Sequence, residues 1–151
     1  MENALCVAKV LFNEYNSRFH DNMDEMKMHK LMYFVQRESL MYNREVLFNE
    51  DFLGWKYGPV LTCVRSEYST GSLFSDVAGD VSKEAKKLVD SVLERYGSMS
   101  SWKLSSLSHR EFSWKCSRKG LGASDNGSGK LKLESMKVDA TRELEERKKF
   151  E

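Results

Sequence analysis

The chain has 151 residues, of which 40% are hydrophobic and 11% aromatic, and this length suits one domain with a single core. The composition is too apolar for an intrinsically disordered chain, and the formal net charge is only +1. A chain-wide electrostatic attraction to nucleic acid or to an anionic membrane is thereby excluded, so any basic surface must be local.

Targeting signals and disulfides are not expected. The N-terminal stretch ALCVAKVLF is short, follows an acidic residue and lacks a small-residue cleavage pattern, so it resembles neither a signal peptide nor a membrane span. We therefore expect a cytoplasmic protein without membrane contact. The three cysteines are odd in number and far apart, which argues against a disulfide framework and against a zinc-binding CxxC pair.

Two helices are predicted in the first third of the chain. Apolar residues recur at helical spacing from Ala4 to Phe19, and the polar HDN sequence at 20–22 ends this pattern. A second helix is predicted from about Met26 to Tyr42. Its apolar stripe is wide enough for it to be the central helix of the domain.

A row of basic residues follows one side of this second helix: Lys27, Lys30, Arg37 and Arg44. Such a row usually lies on the solvated side of an amphipathic helix. The alternative is a phosphate-facing ridge, which together with Lys56 and Arg65 would bind DNA. Glu38 and Glu45 interrupt the positive charge here, which weakens the alternative.

The sequence WKYGPV at 55–60 contains the only proline of the chain. Phe52, Trp55 and Tyr57 suggest a short extended stretch before it. Proline is favourable at the first position of a helix, and it pushes the preceding residue out of the helical region. The expected local structure is therefore an extended arm, a turn at Gly58, and a helix from Pro59 to about Gly71.

The clearest helical periodicity lies at 82–96, where Ser82 can cap the start and Gly97 can end the helix. Two short helices should follow, with a hinge inside SHRE at 108–111 and a serine at 100 or 101 as the first cap. Residues 120–130 are rich in Gly, Ser, Asp and Asn and predict a mobile loop. This loop lacks the residue order of a Walker-type phosphate loop.

Residues 131–151 are predicted to form a short extended segment and a peripheral C-terminal helix of the same domain. Val138, Leu144 and Phe150 would dock that helix loosely, with i, i+4 pairs between Glu143 and Arg147 and between Glu145 and Lys149. A partner-binding segment is the alternative. The fold class is thus mainly α: a compact helical bundle with a core at 1–119 and an extended segment around 50–57.

No pattern of metal ligands or catalytic residues is complete. The three histidines, His20, His29 and His109, have no recognised ligand spacing to one another or to Cys, so neither a metal nor a cofactor is expected. His109 and Glu111 could form an acid/base pair. The structural alternative, which we favour, is that His109 pins the hinge between the two short helices.

The order of motifs resembles the Panacea domain, the family of SocA-like antitoxins and phage-associated GepA-like proteins. The resemblance rests on HKLMYFVQRESLMYNREVLFNEDFLGWKYGPV and on LSSLSHREFSW, and it runs from about residue 4 to 118. The matching positions of the motifs include Lys30, Tyr33, Gln36, Trp55, Lys56, Tyr57, Gly58, Pro59, His109, Glu111 and Trp114. Ser108 stands where the family usually has threonine, and Ser113 where it usually has proline.

The resemblance implies an antitoxin, not an enzyme, that neutralises a toxin encoded by the adjacent gene through direct protein contact. Delivery of the toxin to a protease is a further mode. The alternative function is a DNA-binding transcriptional regulator or autoregulating antitoxin of phage or mobile-element origin. Trp55, Tyr57 and Trp114 carry large apolar areas, so we expect these three side chains to be buried together. Lys56 or His109 would satisfy buried carbonyls there, and toxin contact would occur beside or away from this centre.

Overall fold

The computed structural model describes residues 1–151 and contains seven helices and one two-stranded antiparallel sheet, which confirms the mainly α prediction. The elements are α1 (Ala4–Phe19), α2 (Glu25–Tyr42), β1 (Leu53–Trp55), β2 (Gly58–Val60), α3 (Thr62–Thr70), α4 (Lys83–Tyr96), α5 (Ser101–Ser108), α6 (Phe112–Ser117) and α7 (Leu133–Lys148). None of these helices combines the length and apolarity needed to cross a membrane.

Side-chain caps set the starts of several helices. Asn3 accepts a hydrogen bond from the Leu5 N–H at the start of α1, and Asp24 accepts one from the Lys27 N–H at the start of α2. Ser82 and Ser100 do the same for α4 and α5, as the sequence predicted. Each cap satisfies a backbone donor that has no partner within its helix.

Helix α2 is the centre of the domain. It packs against α1, α3, α4, α5, α7 and β2, and every residue from Lys27 to Met41 is buried. The predicted helix is confirmed, but its predicted solvated side is wrong. A helix enclosed on all sides has no face left for solvent, so its charged side chains must find partners inside the protein.

The WKYGPV sequence forms a hairpin, and here the prediction needs a correction. Leu53 pairs with Val60, Gly54 with Pro59, and Trp55 with Gly58. Pro59 therefore lies in the second strand and does not open a helix; α3 begins at Thr62. Pro59 has no N–H to donate to a neighbouring strand. It is tolerated because this sheet has two strands, so no third strand needs that hydrogen bond.

The C-terminal helix is also more integral than predicted. Helix α7 packs along α2 and α6 and buries Met136, Asp139 and Ala140, while Phe150 stays exposed. The short extended segment before it is present, since the Leu131 N–H donates to the Phe52 carbonyl at 2.9 Å. The description of α7 as peripheral was therefore wrong, because its inner face covers the central helix.

Residues 120–130 form neither a helix nor a strand, but hydrogen bonds connect this loop to the hairpin. The Gly54 N–H donates to the Gly129 carbonyl at 2.8 Å, and Arg118 donates to the carbonyls of Gly122 and Asp125. The loop thus lies against the outer side of β1.

Candidate functional site

Several side chains hold the hairpin by its backbone, and the weakest bond is that of the Ser105 hydroxyl to the Tyr57 carbonyl at 3.4 Å. The Arg118 guanidinium donates to the Gly54 carbonyl at 2.9 Å, and the Trp114 indole N–H donates to the Trp55 carbonyl at 2.7 Å. From the other side, the Lys30 ammonium donates to the Tyr57 carbonyl. We call Lys30, Trp114 and Arg118 the hairpin clamp. It fixes the backbone of β1 and of the turn without using the side chains of Trp55 and Tyr57.

Gly58 is the point where the clamp needs a glycine. Its φ is +121°, and a Cβ built there would lie 2.8 Å from both the Lys30 ammonium nitrogen and the Ser108 hydroxyl. Any other residue would meet both a strained backbone and a close contact. The glycine of the family motif therefore allows Lys30 to reach the hairpin.

The predicted meeting of the aromatic arm with the SHREFSW turn is present, but its details differ. Lys56 donates to no hairpin carbonyl, whereas a hydrogen bond to the Tyr57 backbone partly opposes the decrease in the pKa of His109. Tyr57 is 53% exposed rather than buried, and Trp55 is half-buried. The reason is that the clamp binds backbone atoms, which leaves these two side chains directed away from the core.

His109 and Glu111 do not form an acid/base pair. The His109 ring stacks on Trp114 with centroids 4.3 Å apart and planes 11° apart, and the residue ends α5. Burial and the nearby charge of Lys30 lower the pKa of His109. Glu111 instead pairs with Arg37. His109 and Glu111 thus contact different partners, and His109 lies at the hinge between α5 and α6.

A second polar cluster lies where α2 meets α6 and α7. The Tyr33 hydroxyl lies 2.9 Å from Asp139 and 3.3 Å from Glu111, while Arg37 contacts Glu111 and donates to the Tyr96 hydroxyl. Burial raises the pKa of Glu111 to about 7; the charge of Arg37 opposes this rise and Asp139 adds to it.

Arg147 extends the cluster along α7. Its guanidinium binds Glu38 of α2 through two nitrogens and Glu143 of its own helix at 2.7 Å, which confirms the predicted pair of Glu143 with Arg147. The predicted partner of Glu145 is wrong, because Lys149 pairs with Glu146. We call the set Tyr33, Arg37, Glu38, Glu111, Asp139 and Arg147 the α2–α7 seam.

Ser113 ties α6 to α7 at the position where the family usually has proline. Its N–H donates to Asp139 at 3.0 Å, and its hydroxyl lies 3.0 Å from the Tyr33 hydroxyl. A proline has no N–H to donate. Asp139 also accepts from the Phe112 N–H at 2.6 Å, so it caps the start of α6 from a different helix.

Gln36, like Ser113, forms hydrogen bonds that join separate parts of the chain. Its side-chain amide donates to the Phe48 carbonyl at 2.8 Å and accepts from the Leu47 N–H at 2.7 Å. Gln36 therefore supplies one hydrogen-bond donor and one acceptor to the backbone of the segment between α2 and β1.

The predicted basic row does not form an exposed surface. Lys27 is buried and donates to the Gly97 carbonyl at 2.9 Å, Lys30 belongs to the clamp, and Arg37 belongs to the seam. Arg44 alone is exposed, and it lies beyond the end of α2. A phosphate backbone could not reach Lys27 or Arg37, and Lys30 is accessible only through the pocket beside the hairpin. Methionines and aromatic residues on every side of α2 were the sequence signal for a buried helix.

No group of three or more His, Cys, Asp or Glu side chains is placed to hold a metal ion. The carboxylates of the α2–α7 seam are instead bound by arginine and tyrosine side chains of the same chain, and the hairpin presents the side chains of Trp55 and Tyr57. Fold and site together define a helical domain built around a clamped hairpin.

The chain belongs to the family described as antitoxin SocA-like, Panacea domain, whose model matches residues 28–115. This span runs from α2 to α6 and contains the hairpin and most of the clamp; α1 and α7 lie outside it, so the match is shorter than predicted. No curated protein and no solved structure matches the chain.

Proposed function

We propose that this protein is the antitoxin of a toxin–antitoxin pair and that it neutralises the product of the adjacent gene by direct protein contact. The observation that carries the proposal is the family match over residues 28–115. The polar residues of the motifs fit a binding protein better than an enzyme, because Lys30, Gln36 and Glu111 are occupied by structural contacts.

The proposal also covers the cellular compartment of the protein and the way it inactivates the toxin. Three unpaired cysteines suit a reducing compartment, so we place the protein in the cytoplasm. The partner is held in an inactive complex in this proposal. Delivery of the toxin to a protease is the alternative mode. Binding to operator DNA was predicted from an exposed basic row, and the residues of that row within α2 are buried.

The test is co-expression with the adjacent gene. We expect that gene to arrest growth when induced alone, and this chain to restore growth and to copurify with its product. The abundance of the toxin separates the two modes, because inhibition leaves it unchanged while proteolytic delivery lowers it. A harmless neighbour, or one that does not copurify, would contradict the proposal.

A further inference from the structure

A pocket of about 390 Å³ opens between the start of α2, the hairpin and the start of α3. Its apolar wall consists of Met26, Trp55, Tyr57 and Val60. The rest of the lining is polar or charged: Glu25, His29, Lys30, Lys56, Arg65 and Asn126. The pocket thus combines aromatic surface with several cations, beside the strands that the clamp holds in place.

Lys30 is a buried cation without a carboxylate partner. It is 2% exposed, its ammonium hydrogen-bonds the Tyr57 carbonyl, and it forms no salt bridge. Burial lowers the pKa of Lys30 to about 8. The charge of Asp24 opposes this decrease but lies beyond ion-pair distance. A buried ammonium without a paired carboxylate is costly, so an anionic group brought into the pocket would gain its attraction.

The other charges of the pocket do not compensate Lys30. Glu25 is shared by Arg65 and His29, each at 3.0 Å. His29 accepts from the Leu61 N–H through Nδ1, so its Nε2 carries the proton that faces Glu25. Burial lowers the pKa of His29, which favours the neutral ring. Among the residues that line the pocket, there are thus three cations, Lys30, Lys56 and Arg65, and one carboxylate, that of Glu25.

The aromatic residues of the pocket are the kind that anchor protein interfaces. Arg65 lies 5.0 Å from the Trp55 ring centroid, and Lys56 lies 5.2 Å from that of Tyr57. Trp, Tyr and Arg dominate the binding energy of many interfaces. Because the clamp already fixes the hairpin backbone, little conformational freedom would be lost on binding.

We propose that this pocket binds a segment of the partner protein in which a carboxylate lies beside an apolar or aromatic side chain. The carboxylate approaches Lys30 and Arg65, and the apolar side chain packs on Trp55 and Tyr57. The inference rests on the proposed function. A nucleic acid fits less well, because it presents a run of phosphates, whereas this pocket is small, largely apolar on one wall, and part of a chain with a net charge of +1.

The test measures binding of the purified adjacent-gene product by isothermal titration calorimetry. We expect Tyr57→Ala and Arg65→Glu each to weaken binding at least tenfold. The matched controls are Phe150→Ala and Arg44→Glu, which change an exposed aromatic and an exposed arginine elsewhere, and these should bind like the wild type. Circular dichroism and thermal melting check that each variant is folded. Lys56→Glu provides a second charge reversal if Arg65→Glu does not fold.

The outcomes separate this inference from the proposed function. If the wild type binds and the pocket variants bind equally well, the pocket is not the docking site, while the antitoxin proposal stands. Weaker binding in the controls alone would place the interface on another surface and overturn the inference. A gel shift with the promoter of the operon tests the nucleic-acid alternative. If the pocket variants lose DNA binding but bind the adjacent-gene product as the wild type does, the inference is also overturned. If the wild type does not bind the adjacent-gene product, both proposals fail.

Discussion

The two sides of α2 use buried cations in different ways. Towards the hairpin, the Lys30 ammonium binds a backbone carbonyl; towards α7, the Arg37 guanidinium binds the Glu111 carboxylate. Both residues belong to the same predicted row, and both are almost fully buried. The spacing of charges along a helix therefore does not reveal what those charges will face.

The difference has an electrostatic result. Burial opposes the charge of Arg37, but Glu111 outweighs this effect and raises the pKa of the guanidinium. Lys30 forms no ion pair, and the charge of Asp24 opposes burial only in part, so burial prevails and lowers the pKa of Lys30 to about 8. The α2–α7 seam therefore balances its charges internally, whereas the hairpin clamp retains a positive charge beside the pocket.

The largest effect is expected from Arg37→Met, which breaks the seam. Removal of one member of a buried ion pair leaves the other charge unpaired, so the free energy of unfolding should fall by roughly 3–5 kcal/mol. Urea unfolding followed by circular dichroism measures this change. The matched control is Arg44→Met at an exposed position, with an effect within about 0.5 kcal/mol. Equal midpoints for the two variants would show that the ion pair contributes nothing.

A smaller loss is expected from Gly58→Ala, which disturbs the clamp. The unfavourable φ and the close approach to Lys30 and Ser108 should together reduce the free energy of unfolding by roughly 2–3 kcal/mol. Gly71→Ala is the control, because its φ is also positive, at +79°, but nothing lies within 4 Å of the added carbon. It should lose only about 1 kcal/mol. Equal losses in urea unfolding would mean that the clamp does not require the space at Gly58.

The smallest loss at neutral pH is expected from Lys30→Met, which removes a hydrogen bond but also a buried unpaired charge. We expect a decrease of about 1–2 kcal/mol. Between pH 8 and pH 10.5 the unfolded chain keeps the Lys30 proton that the folded chain releases, so the wild type gains stability relative to the variant as pH rises. Urea midpoints of both proteins at pH 7, 9 and 10 measure this difference. A constant difference across that range would contradict the lowered pKa.

Local patterns predicted the helices well and their surroundings less well. Helices α1 and α4 were foreseen almost to the residue, because their apolar periodicity and caps are local features. The faces of α2 were misjudged because burial of Lys27 and Arg37 depends on carbonyls and carboxylates distant in the chain. Pro59 was placed in a helix because the pairing of Gly54 with Pro59 carries no local signal.

The candidate site shows the same division. The meeting of WKYGPV with SHREFSW followed from the resemblance and from the large apolar area of three aromatic residues. The donors that join them did not, since Lys30 and Arg118 reach the hairpin only through the packing of α2 and α6. The role of α7 was missed for a related reason: Asp139 and Arg147 read as members of a charged tail until their partners on α2 are known.

The bond between Ser113 and Asp139 has a consequence for how this chain relates to others of its family. Asp139 lies outside the span that the family model matches, while Ser113 lies inside it. A relative with proline at the position of Ser113 lacks the N–H donor, and this bond then gives it no reason to keep an acidic residue at the position of Asp139. Asp139 would still cap α6 through the Phe112 N–H and contact the Tyr33 hydroxyl, so an acidic residue keeps a role there even when the Ser113 bond is absent.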